Sequence, residues 1–289
     1  MSQSTFLKEL KTNLKSDESV ALMDFSENYS LVIQNEEQGF HWNRSSCTLH
    51  SLVIYCKDES SEDPIVFCIC LISEDLEHDV AFVYESQRVI TKILQSKFPS
   101  VKKMNYFSDG CGGQYKNYKS FINLCSHQTD FHLTASWNFF ATSHGKSPCD
   151  GVRGAVKRLL TRASLQMGPE DVIDNAQEAL DFCKGNIKNI HFQIIEKETL
   201  LETRQKLEER FLMAKTVPGT RSFHQIVPLS QDSIGAKKIS SDEDFALTFH
   251  FSGESHNILK MSDISTNSYI SCIYDNHWFY GLILSSLQG

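Results

Sequence analysis

Three apolar runs joined by short polar links, then a strict alternation of helix-period and strand-period segments, restrict this chain to a mixed α/β sheet with helices on its faces. The runs cover residues 20–25, 48–56 and 65–72. The second and third are separated by a breaker-rich turn over 57–64, as in a hairpin. Beyond them, 79–98 has helical spacing, 104–108 reads as a strand, 114–127 as a helix, 132–140 as a strand and 150–166 as a helix. A short amphipathic helix over 4–15 precedes this unit, and residues 29–34 continue the first strand after a turn. Such an order lets the first and fourth strands lie side by side.

Three aspartates sit where a surface charge would not be placed. Asp24 follows the run Val20-Ala21-Leu22-Met23, and Asp109 follows Tyr106-Phe107-Ser108. Asp150 opens the helix that starts at 150, as its N-cap. A carboxylate at the end of a buried strand costs several kcal/mol unless something pairs it. Three brought together would repel one another, and a divalent cation such as Mg²⁺, which prefers hard oxygen ligands, would resolve that. The chemistry indicated is a metal-dependent phosphoryl-transfer site on a nucleic acid.

Charge supports this through its distribution rather than its sum. The formal net charge is −8. Residues 101–168 nevertheless hold nine Lys/Arg against three acids, and two of those acids are Asp109 and Asp150. Cations for phosphates surround carboxylates for metal, as a nuclease-like site needs. The nine cysteines are an odd number with no Cys-x-x-Cys pair, which fits reduced, buried thiols rather than a disulfide frame. No apolar run reaches the ~18 residues of a membrane helix, and the N-terminus has no secretory pattern. The expected location is the nucleus or cytoplasm, not outside the cell.

Farther along, 169–185 reads as a helix opened by Gly168-Pro169, 190–195 as a strand and 197–215 as a charged helix with a solvated or pairing face. Val217-Pro218-Gly219 sets a domain boundary. Residues 1–216 form the first domain and 217–289 a small β-rich module, ending in a hairpin over 269–281 that turns at Asp275-Asn276. Tyr274, Trp278 and Tyr280 are core residues there, with a binding groove as the lesser alternative.

The segments Asp24-Phe25-Ser26-Glu27-Asn28-Tyr29, Phe107-Ser108-Asp109-Gly110 and Ser143-His144-Gly145-Lys146 through Asp150-Gly151 resemble those of the RNase H-like DDE/D transposases and integrases, in particular transposon-derived eukaryotic proteins. The likeness spans roughly residues 18–170, and the subfamily stays open. It implies an RNase H-like mixed five-stranded sheet flanked by helices, and the C-terminal module resembles a small barrel of SH3 or chromo type. It implies that Asp24, Asp109 and Asp150 are catalytic and hold two Mg²⁺ or Mn²⁺ ions for DNA strand cleavage and transfer. Basic residues of the last helix, Arg153, Lys157 and Arg158, would then grip the DNA backbone, with His144 and Lys146 near a phosphate. The partners implied are DNA and, on it, further copies of the chain, with no membrane.

Only 23 residues precede Asp24 and no C₂H₂ pattern is present. The chain is therefore expected to lack the recognition domain of full-length transposases, as a truncated or domesticated product would. The alternative reading is a catalytically inactive, transposase-derived DNA- or chromatin-binding protein. A zinc site from His41, Cys47, Cys111, His144 and Cys149 lacks the required short spacing. The turn Gly110-Cys111-Gly112-Gly113-Gln114 lacks the Gly-Lys-Ser/Thr ending of a P-loop. An RNase H-like exonuclease needs an Asp-x-Glu motif where this chain has Asp24-x-x-Glu27.

Overall fold

The computed structural model describes residues 2–31, 45–58, 63–140, 147–166, 173–212, 214–251, 269–274 and 277–282. The chain divides into two compact units, Met1–Ser252 and Gly253–Gly289.

The first unit is built on one mixed sheet. After helix α1 (Gln3–Thr12) come β1 (Glu18–Phe25), a two-residue β2 (Tyr29–Ser30), β3 (Ser46–Cys56) and β4 (Ile65–Ser73). Helix α2 (Val80–Lys97), β5 (Lys103–Ser108), α3 (Tyr118–Cys125), α4 (His127–Phe131), β6 (Thr134–Phe139) and α5 (Pro148–Gln166) follow. β3 runs antiparallel to both β1 and β4, whereas β5 lies parallel to β1 and β6 parallel to β5. The kernel order is thus β6-β5-β1-β3-β4. The first and fourth strands of the kernel, β1 and β5, are neighbours, as the apolar pattern suggested.

Alternation along the strands gives the sheet two buried faces. Ala21, Met23 and Phe25 pack with Leu52, Ile54 and, from α2, Phe82 and Ile90. Val20 and Leu22 pack on the other side with Leu49, Val53 and, from α5, Val152, Val156 and Leu160. Each fully buried side chain of this size contributes about 1.5–3 kcal/mol. A one-residue slip of β1 would exchange the two sets and drive Asp24 into the α2 side, so the register is strongly specified.

The described residues of this unit go on to form α6 (Ala176–Asn186), β7 (Ile190–Ile194), α7 (Lys197–Leu212), a 3-10 turn (Thr220–Ser222), β8 (Gln225–Pro228), β9 (Ser233–Lys237) and β10 (Leu247–His250). β7 joins β4 in parallel, and β8, β9 and β10 extend the sheet beyond β6. The expected five strands are therefore the centre of a ten-stranded sheet. The boundary expected at 217 falls at 252/253 instead. α7 already ends at Leu212, ahead of Pro218 and Gly219, and Phe223, Ile226, Ile234 and Ala236 then return to the main core. Gln3 reinforces that return by donating to the carbonyls of Phe139 (3.1 Å) and His224 (2.9 Å).

Local chemistry explains the other departures. The helix expected over 114–127 starts at Tyr118, because the Asn117 side chain accepts from the Ser120 N–H and caps it there. α7 is no free pairing face, since Leu200, Thr203 and Leu207 form a narrow buried stripe. In the second unit the described residues form the antiparallel hairpin β11 (Tyr269–Tyr274) and β12 (His277–Leu282). Of the module proposed for 217–289, residues 217–251 are described and belong to the first unit, with β8–β10 in its sheet, whereas 252–268, 275–276 (the expected turn at Asp275-Asn276) and 283–289 lie outside the described residues. Among the described residues no helix is long and apolar enough to cross a membrane.

Candidate active site

The parallel pairing of β1 and β5 aligns two of the three aspartates. Leu22 pairs with Phe107, an offset of 85 residues, and Asp109 lies 85 residues beyond Asp24. Carried two residues on, the register sets them level at the carboxyl ends of adjacent parallel strands, where open α/β sheets bind ligands. By alternation both belong to the face that holds Leu22 and Phe107, the face covered by α5. Asp109 is exposed, and its Oδ1 accepts from the Cys111 N–H at 3.1 Å, forming a tight turn.

Asp150 comes from the first turn of α5, which packs over β1 and β3. It is not the N-cap. Ser147 is, with its Oγ accepting from the Cys149 N–H at 3.2 Å. Asp150 Oδ2 accepts from the Ser147 N–H at 2.7 Å, which closes a reciprocal capping box around Pro148 at the first helical position. The Ser-x-x-Asp spacing carried that signal. One oxygen of Asp150 therefore has a structural duty and the other remains for a second partner.

That partner is Arg153, one turn along. Its Nη2 contacts Asp150 Oδ1, and its Nη1 lies 3.6 Å from Asp24 Oδ2 and 3.5 Å from the Phe25 carbonyl oxygen. The residue expected to grip DNA thus turns inward and joins two members of the acidic set. Lys157 is also engaged, donating to the Glu27 carbonyl at 3.1 Å, so Glu27 meets the site through its backbone. Arg158 and Arg162 remain exposed, and with Lys157, Thr161 and Leu165 they border a groove of about 410 Å³ along α5. His144, Lys146 and His41 lie outside the described residues.

Asp24 feels the whole arrangement. Burial pushes its carboxyl up to about 6, Arg153 opposes the rise, and the charges of Asp109 and Asp150 add to it. All three acids therefore share one electrostatic neighbourhood. Among the described residues, no group of three or more His, Cys, Asp or Glu is arranged to hold a metal ion. The donor chemistry still suits a hard divalent cation: three carboxylates share that neighbourhood, and a buried hydroxyl on the Asp24 face of the sheet lacks a partner. That hydroxyl is Ser51 Oγ on β3, directly across from Asp24. The zinc alternative is disfavoured further. Cys149 is buried and its thiol donates toward the Leu22 carbonyl, while burial pushes Cys47 and Cys149 up to about 12.

Sequence reading missed what lies beneath Asp24 and Asp109 on the opposite face. His50 is fully buried, stacked on Phe25 with ring centroids 3.8 Å apart. Ser86 Oγ donates to the Phe82 carbonyl, so it accepts from His50 Nδ1 at 2.8 Å. His50 Nε2 then accepts from the Tyr115 hydroxyl at 2.8 Å. Burial holds His50 well below its usual range, which keeps this neutral tautomer in place, and burial with the nearby charges of Asp24 and Asp109 raises Tyr115. Tyr115 ends the Gly-rich turn after Asp109, so the bond ties that turn to the sheet. Tyr115→Phe leaves a buried acceptor unpaired and is expected to cost about 1–3 kcal/mol in chemical denaturation. An unchanged midpoint would show that the bond does not anchor the turn.

The fold and this acidic cluster define a mixed α/β protein with a large, helix-flanked sheet and a carboxylate site at its parallel strand ends. The chain belongs to the family described as a domain of unknown function (DUF8701), which matches residues 3–240. No curated protein matches the sequence. Among solved structures, the nuclease domain of human cytomegalovirus terminase, manganese-soaked and inhibitor-bound, is 9% identical. It covers 74% of this chain and 86% of its own, with a TM-score of 0.26, a likeness too small to define fold or activity.

Proposed function

We propose that this chain is a metal-dependent phosphoryl transferase of the RNase H-like DDE/D transposase type, cleaving and joining DNA in the nucleus. One observation carries the reading. The β1–β5 register, carried two residues past the Leu22–Phe107 pair, would bring Asp24 level with Asp109 at the strand ends, and Asp150 of α5 shares their electrostatic neighbourhood. Three antiparallel strands followed by two parallel ones also suit the RNase H-like resemblance of the motifs.

Asp24, Asp109 and Asp150 would hold Mg²⁺ or Mn²⁺, two ions by that resemblance. Bound there, the metal supplies Lewis-acid stabilisation of phosphoryl oxygens and lowers the pKa of water. The chain's own contribution is positional. β1 and β5 set two carboxylates on rigid strand ends, and the capping box fixes the orientation of the third. Arg158 and Arg162, exposed on α5, attract the phosphate backbone without reading its sequence. A DNA-bound homo-oligomer belongs to the same reading.

A second reading, a non-catalytic DNA- or chromatin-binding protein, is favoured by the Arg153 contacts, which give two of the three carboxylates an internal partner. Calorimetric titration with Mn²⁺, beside nicking of supercoiled plasmid, separates the two. The enzyme reading expects metal uptake and nicking that EDTA stops and that Asp109→Ala and Asp150→Ala each abolish. DNA binding without metal uptake favours the second reading, and nicking retained in either variant removes that residue from the catalytic set.

A further inference from the structure

Arg153 stands where the acidic cluster needs a cation. Three oxygens surround its guanidinium: Asp24 Oδ2, Asp150 Oδ1 and the Phe25 carbonyl. The three aspartates carry three negative charges when ionised, and one guanidinium balances one of them. Lys157, the next cation along this face of α5, is already bonded to the Glu27 carbonyl.

Ser51 provides an independent sign that something is missing from this place. It is 1% exposed, and its Oγ has no hydrogen-bond partner. Ser51 pairs across the ladder with Asp24, and cross-strand partners share a face, so its side chain belongs to the Asp24 face of the sheet, the one α5 covers. A buried hydroxyl without a partner costs free energy that a bound ion or its water would remove.

We propose that Arg153 is an internal counter-cation that a divalent metal displaces from Asp24 and Asp150. The inference rests on the reading of those two residues as metal ligands. Guanidinium and metal exclude each other, because a metal within about 2.1 Å of these oxygens takes the space and lone pairs that Arg153 now uses. Arg153 keeps the carboxylates from splaying apart while no metal is bound. Once displaced, its planar fork is left at the mouth of the site, with a geometry that matches a phosphate. The same residue thereby serves the empty site and then an anionic substrate, and metal binding is the step that switches it.

The test is a calorimetric titration of the full chain with Mn²⁺ alone, comparing wild type, Arg153→Gln and Arg153→Lys. Arg153→Gln is expected to bind at least about 10-fold more tightly, a difference of about 1.4 kcal/mol. Arg153→Lys should fall between, since it keeps the charge and loses the fork. Equal or weaker binding by Arg153→Gln, with wild type binding normally, overturns the competition and leaves the ligand reading standing. No heat of binding in any variant overturns both. Should Arg153→Gln fail to fold by circular dichroism, the Arg153 Nε–H resonance of the wild type decides. It is expected to move on Mg²⁺ addition, and a resonance unmoved while Mg²⁺ binds overturns the proposal.

Discussion

Asp24→Asn is expected to abolish Mg²⁺-dependent nicking and yet raise the melting temperature at pH 7.5. The first effect follows from its place among the proposed ligands. Metal ions supply several kcal/mol of transition-state charge stabilisation, so losing an ionised ligand should cost about 10³-fold in rate, equal to about 4 kcal/mol of barrier. The second follows from burial. Desolvation raises the Asp24 carboxyl to about 6 despite Arg153, with Asp109 and Asp150 adding to the rise. Unfolded, it titrates near 3.8. Between those values the native state holds more protons than the unfolded chain. Stability therefore falls as pH rises through that window and stays lower above it. Asparagine never ionises and removes that loss, and each kcal/mol relieved is worth about 2–4 °C in a domain of this size. The gain should shrink at pH 4, where the native carboxyl is protonated. A lower melting temperature for Asp24→Asn at pH 7.5 would mean that the Arg153 contact outweighs desolvation. A site that gives up stability to keep a buried charge is a common trade between function and stability.

The parts of this arrangement visible in the sequence are those set by local pattern. An apolar strand that stops at a carboxylate is legible at Asp24 and Asp109. The shared offset of 85 became meaningful once β1 and β5 were neighbours, which short links and crossovers made the natural topology. The spacing Ser147-x-x-Asp150 announced a capping box, although Asp150 reads as the cap itself when the serine is passed over. Other parts depend on tertiary contact. Arg153 has a long side chain whose partner is decided by what lies under α5, and helical position alone pointed it at DNA. His50 and Tyr115 are 65 residues apart, and each alone resembles an ordinary polar residue beside a core. β8 to β10 are four or five residues long, too short for a two-residue period to show which sheet they join. The break at Pro218-Gly219 therefore looked like the end of a domain.

Arg204→Ala is expected to destabilise the first unit by about 3–5 kcal/mol, the cost of removing one partner from a buried ion pair. The residue belongs to α7, whose charge made it look solvated. Its guanidinium instead donates to both oxygens of Asp75 at 2.7 and 3.1 Å and to Asp79 Oδ2 at 2.7 Å. Asp75 is only 4% exposed, so without Arg204 its charge is left buried and unpaired. Asp79 is also the N-cap of α2, accepting from the Phe82 N–H, so one arginine pins α7 to the start of α2. At about 2–4 °C per kcal/mol, the melting temperature should fall by roughly 10 °C. The pH dependence identifies the cause. Burial alone would raise Asp75, but hydrogen bonds from Arg204 and the Glu77 N–H outweigh it and hold the carboxyl below its ordinary value. A depressed carboxyl stabilises the fold fully above its unfolded pKa of about 4, and the contribution disappears as pH falls through the folded value. The gap between wild type and Arg204→Ala should therefore be widest at pH 7 and narrow steadily below pH 4. Asp75→Ala combined with Arg204→Ala should cost less than the two single changes summed, because the second removes a charge that the first left stranded. A gap independent of pH, with additive single changes, would assign the loss to packing of the arginine stem along α2 rather than to the ion pair.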